Sequence, residues 1–151
     1  MTTTELSAQH VTWWERYRAH GFYFREAAML TIAAGFCLHL YRVVFGDEMT
    51  LQHVMTPTTD LLLLIPMTYA AIAGILSYRR MRFVNRPHRI AVTASLAYIA
   101  ASVPLHVYFA GVRGNVDFYV DFFPAWFSYL LLCVVYPAFL VMLWRLRYNK
   151  D

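Results

Sequence analysis

Two tetrapeptides carry the residues best suited to chemistry: Leu38-His39-Leu40-Tyr41 and Leu105-His106-Val107-Tyr108, 67 residues apart. Each histidine stands inside an apolar run, where an ionisable side chain marks a function or a dedicated partner. Two further histidines extend the pattern. His20 precedes His39 by 19 residues, and His88 precedes His106 by 18. At about 100° per residue, eighteen steps return to the same helix face, while nineteen miss it by about 100°. His20 and His88 then fall near one membrane face, and His39 and His106 near the other. That is the layout of a four-helix b-type cytochrome with a bis-histidine haem b near each face. The outer pair alone could hold one haem, or each histidine could ligate a chlorophyll-type magnesium. The likeness is one of layout, and no family motif accompanies it. A hydrogen bond from histidine to tyrosine or backbone between helices accounts for His39 and His106 without a cofactor. Interfacial placement beside basic loops accounts equally for His20 and His88.

A second constellation occupies the segment Gly46–Thr59, with Asp47, Glu48, Met49, His53 and Met55, joined by Asp117 and Asp121 from the other outer loop. With His39 and His106 these residues could form a metal site at the outer mouth. Imidazole and thioether suit copper, and carboxylates suit harder ions. The spacing matches no fixed ligand motif, and acidic outer loops are also the ordinary complement of basic inner ones. Cys37 and Cys133 sit apart in apolar runs and form no CxxC pair, so neither a redox motif nor a zinc site follows from them. Templates for soluble catalysis (GxSxG, HExxH, a glycine-rich phosphate loop) are absent, and the chain is not expected to be catalytic by itself.

The elements that must position these groups follow from composition. Of 151 residues, 60% are hydrophobic and 15% charged, against about 25% charged in an ordinary soluble domain. A soluble enzyme and a nucleic-acid-binding module are excluded, because too few polar groups remain to cover the surface. Four apolar runs have spanning length: about 22–45, 60–78, 90–112 and 124–146. Each supplies the roughly 20 residues a membrane helix needs, and only helices or closed barrels satisfy their backbone in lipid. The expected fold is an all-α, four-helix transmembrane bundle. Asp121 is a candidate N-cap for the fourth run, with Pro124 in its first turn. Pro66, Pro104 and Pro137 lie inside runs and should kink or open their helices. Residues 1–21 read as an amphipathic segment, anchored by Trp13 and Trp14, on a membrane surface or a partner. Their charges and the lack of an early apolar stretch argue against a signal peptide.

Charge sorts by side. Of thirteen Lys and Arg residues, all but Arg42 and Arg113 fall on the N-terminal side up to Arg25, in the loop Arg79–Arg89 or at the C-terminus. By the positive-inside rule both termini are cytoplasmic, and the basic balance reports topology and lipid attraction. A bacterial inner membrane is the expected location. Mid-span positions carry only weakly polar residues such as Thr68, Thr93 and Ser102, which argues against a proton-coupled carrier.

The halves also resemble one another. Besides the two LHxY tetrapeptides, Leu61–Leu64 aligns with Tyr129–Leu132, and Ser77–Phe83 aligns with Leu143–Tyr148 with one indel. A duplicated two-helix hairpin explains this, with a pseudo-two-fold axis along the membrane normal. Chance likeness between apolar helices explains it too. Three functions remain open: a redox-cofactor subunit of a larger respiratory or electron-transfer complex, an accessory subunit without cofactor, and a small transporter or metal-handling protein. The expected partners are the bilayer, other membrane subunits or a second copy, and quinone at the aromatic-rich stretch Phe118–Tyr129. Nucleic acid is not among them.

Overall fold

A computed structural model of the chain describes residues 21–121 and 123–148. His20 and all but the last residue of the expected amphipathic segment lie outside the described residues. Among the described residues, four helical stretches are long and apolar enough to cross a membrane: Phe24–His53, Pro57–Arg80, Arg86–Arg113 and Ala125–Trp144.

Helix α1 (Gly21–His53) runs eight residues beyond the expected end of the first span and takes in much of the expected outer loop. It breaks at Gly46, whose φ of 85° and ψ of 174° suit glycine because no Cβ is present to clash. Helix α2 (Pro57–Ser77) starts three residues earlier than expected. Thr56 caps it by accepting a hydrogen bond from the Thr59 amide, and Pro57 takes the first turn, where its missing N–H is harmless. Helix α3 (Arg86–His106) is capped by Asn85, which accepts from the His88 amide at 2.9 Å. It passes directly into a wider π-type turn, Val107–Arg113, closed by Gly114 at φ 62°.

The last span is assembled from α5 (Ala125–Leu130), a π-type turn at Leu131–Val135, and α6 (Tyr136–Trp144). Pro137 cannot donate a backbone hydrogen bond, and the widened turn ends two residues before it, at Val135. Pro66 lies within α2 without interrupting it. The expected cap of the last span is displaced. Asp121 ends a separate short helix, α4 (Phe118–Asp121), and Pro124 occupies the N-cap position of α5 with no side-chain cap bond.

The spans form a four-membered ring. α1 packs against α2 and the α5–α6 span, α3 packs against α2 and α6, and α1 and α3 approach lightly across the diagonal. Phe24, Ala28 and Ile32 of α1 meet Met67, Ala70 and Ala73 of α2, Val92 and Ile99 of α3, and Tyr136 and Leu143 of the last span. Small residues let the backbones close. A Cβ on Gly74 would lie 2.5 Å from a Leu96 methyl and 2.8 Å from the Phe24 ring. Outward, Leu30, Leu62, Ile65, Ile75, Val112 and Val134 are among the large apolar side chains left exposed, a coat that suits hydrocarbon.

At one end the chain after α2 and the chain after α6 pair as an antiparallel ribbon of two-residue strands. β1 (Met81–Arg82) faces β2 (Arg147–Tyr148), with Met81 opposite Tyr148 and Arg82 opposite Arg147. This ribbon end also carries Arg79, Arg80, Arg86, Arg89 and Arg145. His39 and His106 lie toward the other end.

Candidate functional site

Towards that other end, α1, α2, α3 and the last span enclose a cavity of about 40 Å³. His39 and His106 both line it, with Met55, Met67, Tyr98 and Tyr136 among its other walls. Both histidines are buried, each with 7% relative exposure. A water needs roughly 10–15 Å³ of such space, so the chamber has room for an ion or a few waters. Drug-sized ligands occupy pockets of about 300–1,000 Å³.

Each imidazole is held by one nitrogen. His106 Nδ1 lies 2.6 Å from Asp60 Oδ1, with both side chains buried. His39 Nδ1 lies 3.0 Å from Ser128 Oγ. Arg42 extends this second pair, donating to Ser128 Oγ at 3.3 Å and to Asp47 Oδ1 at 2.6 Å. Arg42 itself is only 4% exposed. Partners of this kind fix ring orientation and tautomer, as the outer partners of metal-bound imidazoles do. In the same chamber the hydroxyls of Tyr98 and Tyr136 are 2.9 Å apart, and the Tyr136 ring lies 5.8 Å from that of His39.

The two pairs occupy matched positions. His106 follows His39 by 67 residues, and Ser128 follows Asp60 by 68. Burial follows the same offsets: Ala28 and Ser95, Ile32 and Ile99, and Leu64 and Leu132 are all buried. Asp60 and Ser128 are the residues that sequence reasoning missed. Each stands directly before the aligned tetrapeptides Leu61–Leu64 and Tyr129–Leu132, and that alignment is the signal by which they could have been found.

The remaining expected residues do not join this chamber. His88 is buried at the ribbon end, where Nδ1 accepts from the Val84 amide at 3.1 Å and Nε2 lies 2.8 Å from the Met142 carbonyl. Both ring nitrogens therefore serve the backbone, tying the start of α3 to α6; His20, its partner in the sequence layout, lies outside the described residues. The outer acid cluster does not converge. Asp47 is taken by Arg42, Glu48 accepts from Gln52 one turn on, and Asp117 accepts from Asn115 two residues earlier. His53 and Asp121 are exposed at the ends of α1 and α4. Among the described residues, no three of His, Cys, Asp and Glu come together as a metal-binding group. The chain matches no family model, no curated protein and no solved structure.

Outside the spans, Tyr148 has its hydroxyl pKa raised, first by burial and then by the charge of Glu26. Glu26 is itself ion-paired with Arg25. A broad apolar groove of about 520 Å³ opens between α1 and α2, and it shares Leu38 and Leu63 with the chamber.

Proposed function

We propose that this chain is a small multi-pass membrane subunit that holds one redox-active group between His39 and His106 and serves a larger electron-transfer complex. The observation that carries this reading is that both buried imidazoles line one chamber while each Nδ1 is spent on a fixed partner. An imidazole oriented through Nδ1 ligates a metal through Nε2. The imidazoles suit haem iron, but a chamber of about 40 Å³ has the room of an ion and not of a tetrapyrrole ring. Haem b would require the helices to part. Matched positions of the two pairs support a duplicated hairpin. So does the ribbon, in which Met81 and Arg82 pair reciprocally with Tyr148 and Arg147 as a two-fold axis between them requires. The basic ribbon end faces the cytoplasm of a bacterial inner membrane on the positive-inside rule. The groove beside Leu38 and Leu63 suits an isoprenoid quinone tail or an apolar helix of a partner.

Purified protein in detergent tests the reading by absorption spectroscopy and metal analysis. A bound chromophore or metal ion is expected, and it is lost in His39→Ala and His106→Ala. A colourless, metal-free protein after expression with iron and copper supplied would overturn it. That result favours the second reading, an accessory subunit whose buried histidines only lock helices together. The specific support for it is that Ser128 and Asp60 already satisfy one nitrogen of each ring.

A further inference from the structure

We propose that the outward face of the ribbon is a binding site for the headgroup of an anionic phospholipid carrying two phosphates, of the diphosphatidylglycerol type. This goes beyond the paired-imidazole reading. It rests on the spans lying in a bilayer and does not depend on what the chamber holds. The ribbon itself sets the site. Met81 and Tyr148 form one of its two register pairs and pack against the bundle core. Successive side chains on a strand take opposite faces, so the neighbouring pair, Arg82 opposite Arg147, is turned outward, and both residues are exposed. Like charges directly opposite each other on paired strands are destabilising, and an isolated two-stranded ribbon has little stability of its own to offset that. A phosphate shared between the two guanidinium groups removes the repulsion, and the planar guanidinium fork matches phosphate oxygens. Arg147 Nη1 donates to the Trp144 and Leu146 carbonyls at 2.9 and 3.0 Å, which holds its head group in place at the end of the last span.

More positive charge stands around this pair. His88 ties the first turn of α3 to α6 through the Met142 carbonyl. Arg86 and Arg89 of that turn therefore stand at the same end as Arg145, and all three are exposed. Among the described residues Glu26 is the one acid at this end, and it is ion-paired with Arg25. The excess is more than a single phosphate balances, which favours a headgroup bearing two. Apolar surface beside the charge distinguishes a lipid from a free anion. Trp144 and Ile90 adjoin Arg145 and Arg89 in the chain, Val84 lies two residues from Arg82, and all three apolar side chains are exposed. Tryptophan belongs at headgroup level, exposed apolar side chains suit acyl chains, and basic clusters beside membrane spans attract anionic lipid.

The test uses the purified full chain, stripped of lipid in a neutral detergent, and reads native mass spectrometry and thermal unfolding. Diphosphatidylglycerol, phosphatidylglycerol, phosphatidylcholine or inorganic phosphate is then added. One diphosphatidylglycerol per chain is expected, with a raised melting temperature. Phosphatidylglycerol binds more weakly, and phosphatidylcholine and phosphate leave melting unchanged. Arg82→Gln and Arg147→Gln each weaken the binding by about five-fold, and Arg113→Gln leaves it unchanged. Without lipid, Arg82→Gln melts no lower than the wild type, because the cross-strand repulsion is relieved; an arginine with a merely structural role would lower it. Equal binding of phosphatidylcholine overturns the proposal, and so does undiminished lipid binding in the Arg82→Gln, Arg147→Gln double variant. If that double variant does not fold, undiminished binding in Arg86→Gln, Arg89→Gln overturns it instead. An equal shift with inorganic phosphate overturns the lipid assignment, and equal binding of phosphatidylglycerol overturns the two-phosphate headgroup.

Discussion

Asp60 and Ser128 hold equivalent histidines, yet their removal should differ in cost. Ser128 gives His39 a neutral hydrogen bond, and loss of such a bond costs about 1 kcal/mol. Asp60 is a buried carboxylate at 2.6 Å from His106. A hydrogen bond to a charged group contributes about 1.5–3 kcal/mol. Asp60→Ala should therefore lower stability by more than Ser128→Ala, as read by thermal unfolding in detergent. Equal losses would mean that the carboxylate does no more than a hydroxyl there. His88 illustrates the opposite outcome. It has the spacing of a ligand, but its ring joins the Val84 amide to the Met142 carbonyl. A histidine's role is decided by what its two nitrogens meet, and residue spacing along one helix does not contain that information.

At the scale of elements, glycine and proline mark where regular helix gives way or helices close on each other. Gly46 takes a conformation in which a side chain is strained, and α1 bends there. Gly74 admits Leu96 and Phe24 to within a distance no Cβ tolerates. Gly74→Ala should cost about 1–3 kcal/mol by overpacking, and Gly46→Ala a similar amount by backbone strain. Thermal unfolding measures both. Only Gly74→Ala should be rescued by a smaller residue at position 96, because the Gly46 penalty lies in the backbone. The π-type turns at Val107–Arg113 and Leu131–Val135 flank the chamber residues His106 and Tyr136. Prolines 104 and 137 were legible as helix disturbances. The form and place of the disturbance were not, because it depends on which neighbours re-pair the freed backbone groups.

At the scale of the whole molecule, charge and apolar length set the topology. If the basic ribbon end is cytoplasmic, a fluorescent protein fused after residue 151 should fold and fluoresce in a bacterial host. A periplasmic phosphatase fused within Gly114–Asp117 should be active. The reverse pattern would show that the arginine loop does not direct insertion. The four spans were legible because a run of apolar residues long enough to cross a bilayer has few other uses. Their ends were less so. Helix α1 continues through Asp47, Glu48 and His53, polar residues that sequence reasoning assigns to a loop. Helical propensity carried them on once Gly46 had turned the chain.

By itself the sequence determined that this is an all-α chain of four membrane-length helices with its charge gathered at the ends, since hydropathy and charge act locally along the chain. It also singled out His39 and His106, because ionisable residues inside apolar runs are rare. Only the tertiary structure decided their company. It brought Asp60 and Ser128 behind the rings and Met55 and Met67 beside them, while dispersing the outer acids and giving both nitrogens of His88 to the backbone. Contacts between helices depend on which faces meet across the bundle, and that pairing is settled by packing over the whole molecule.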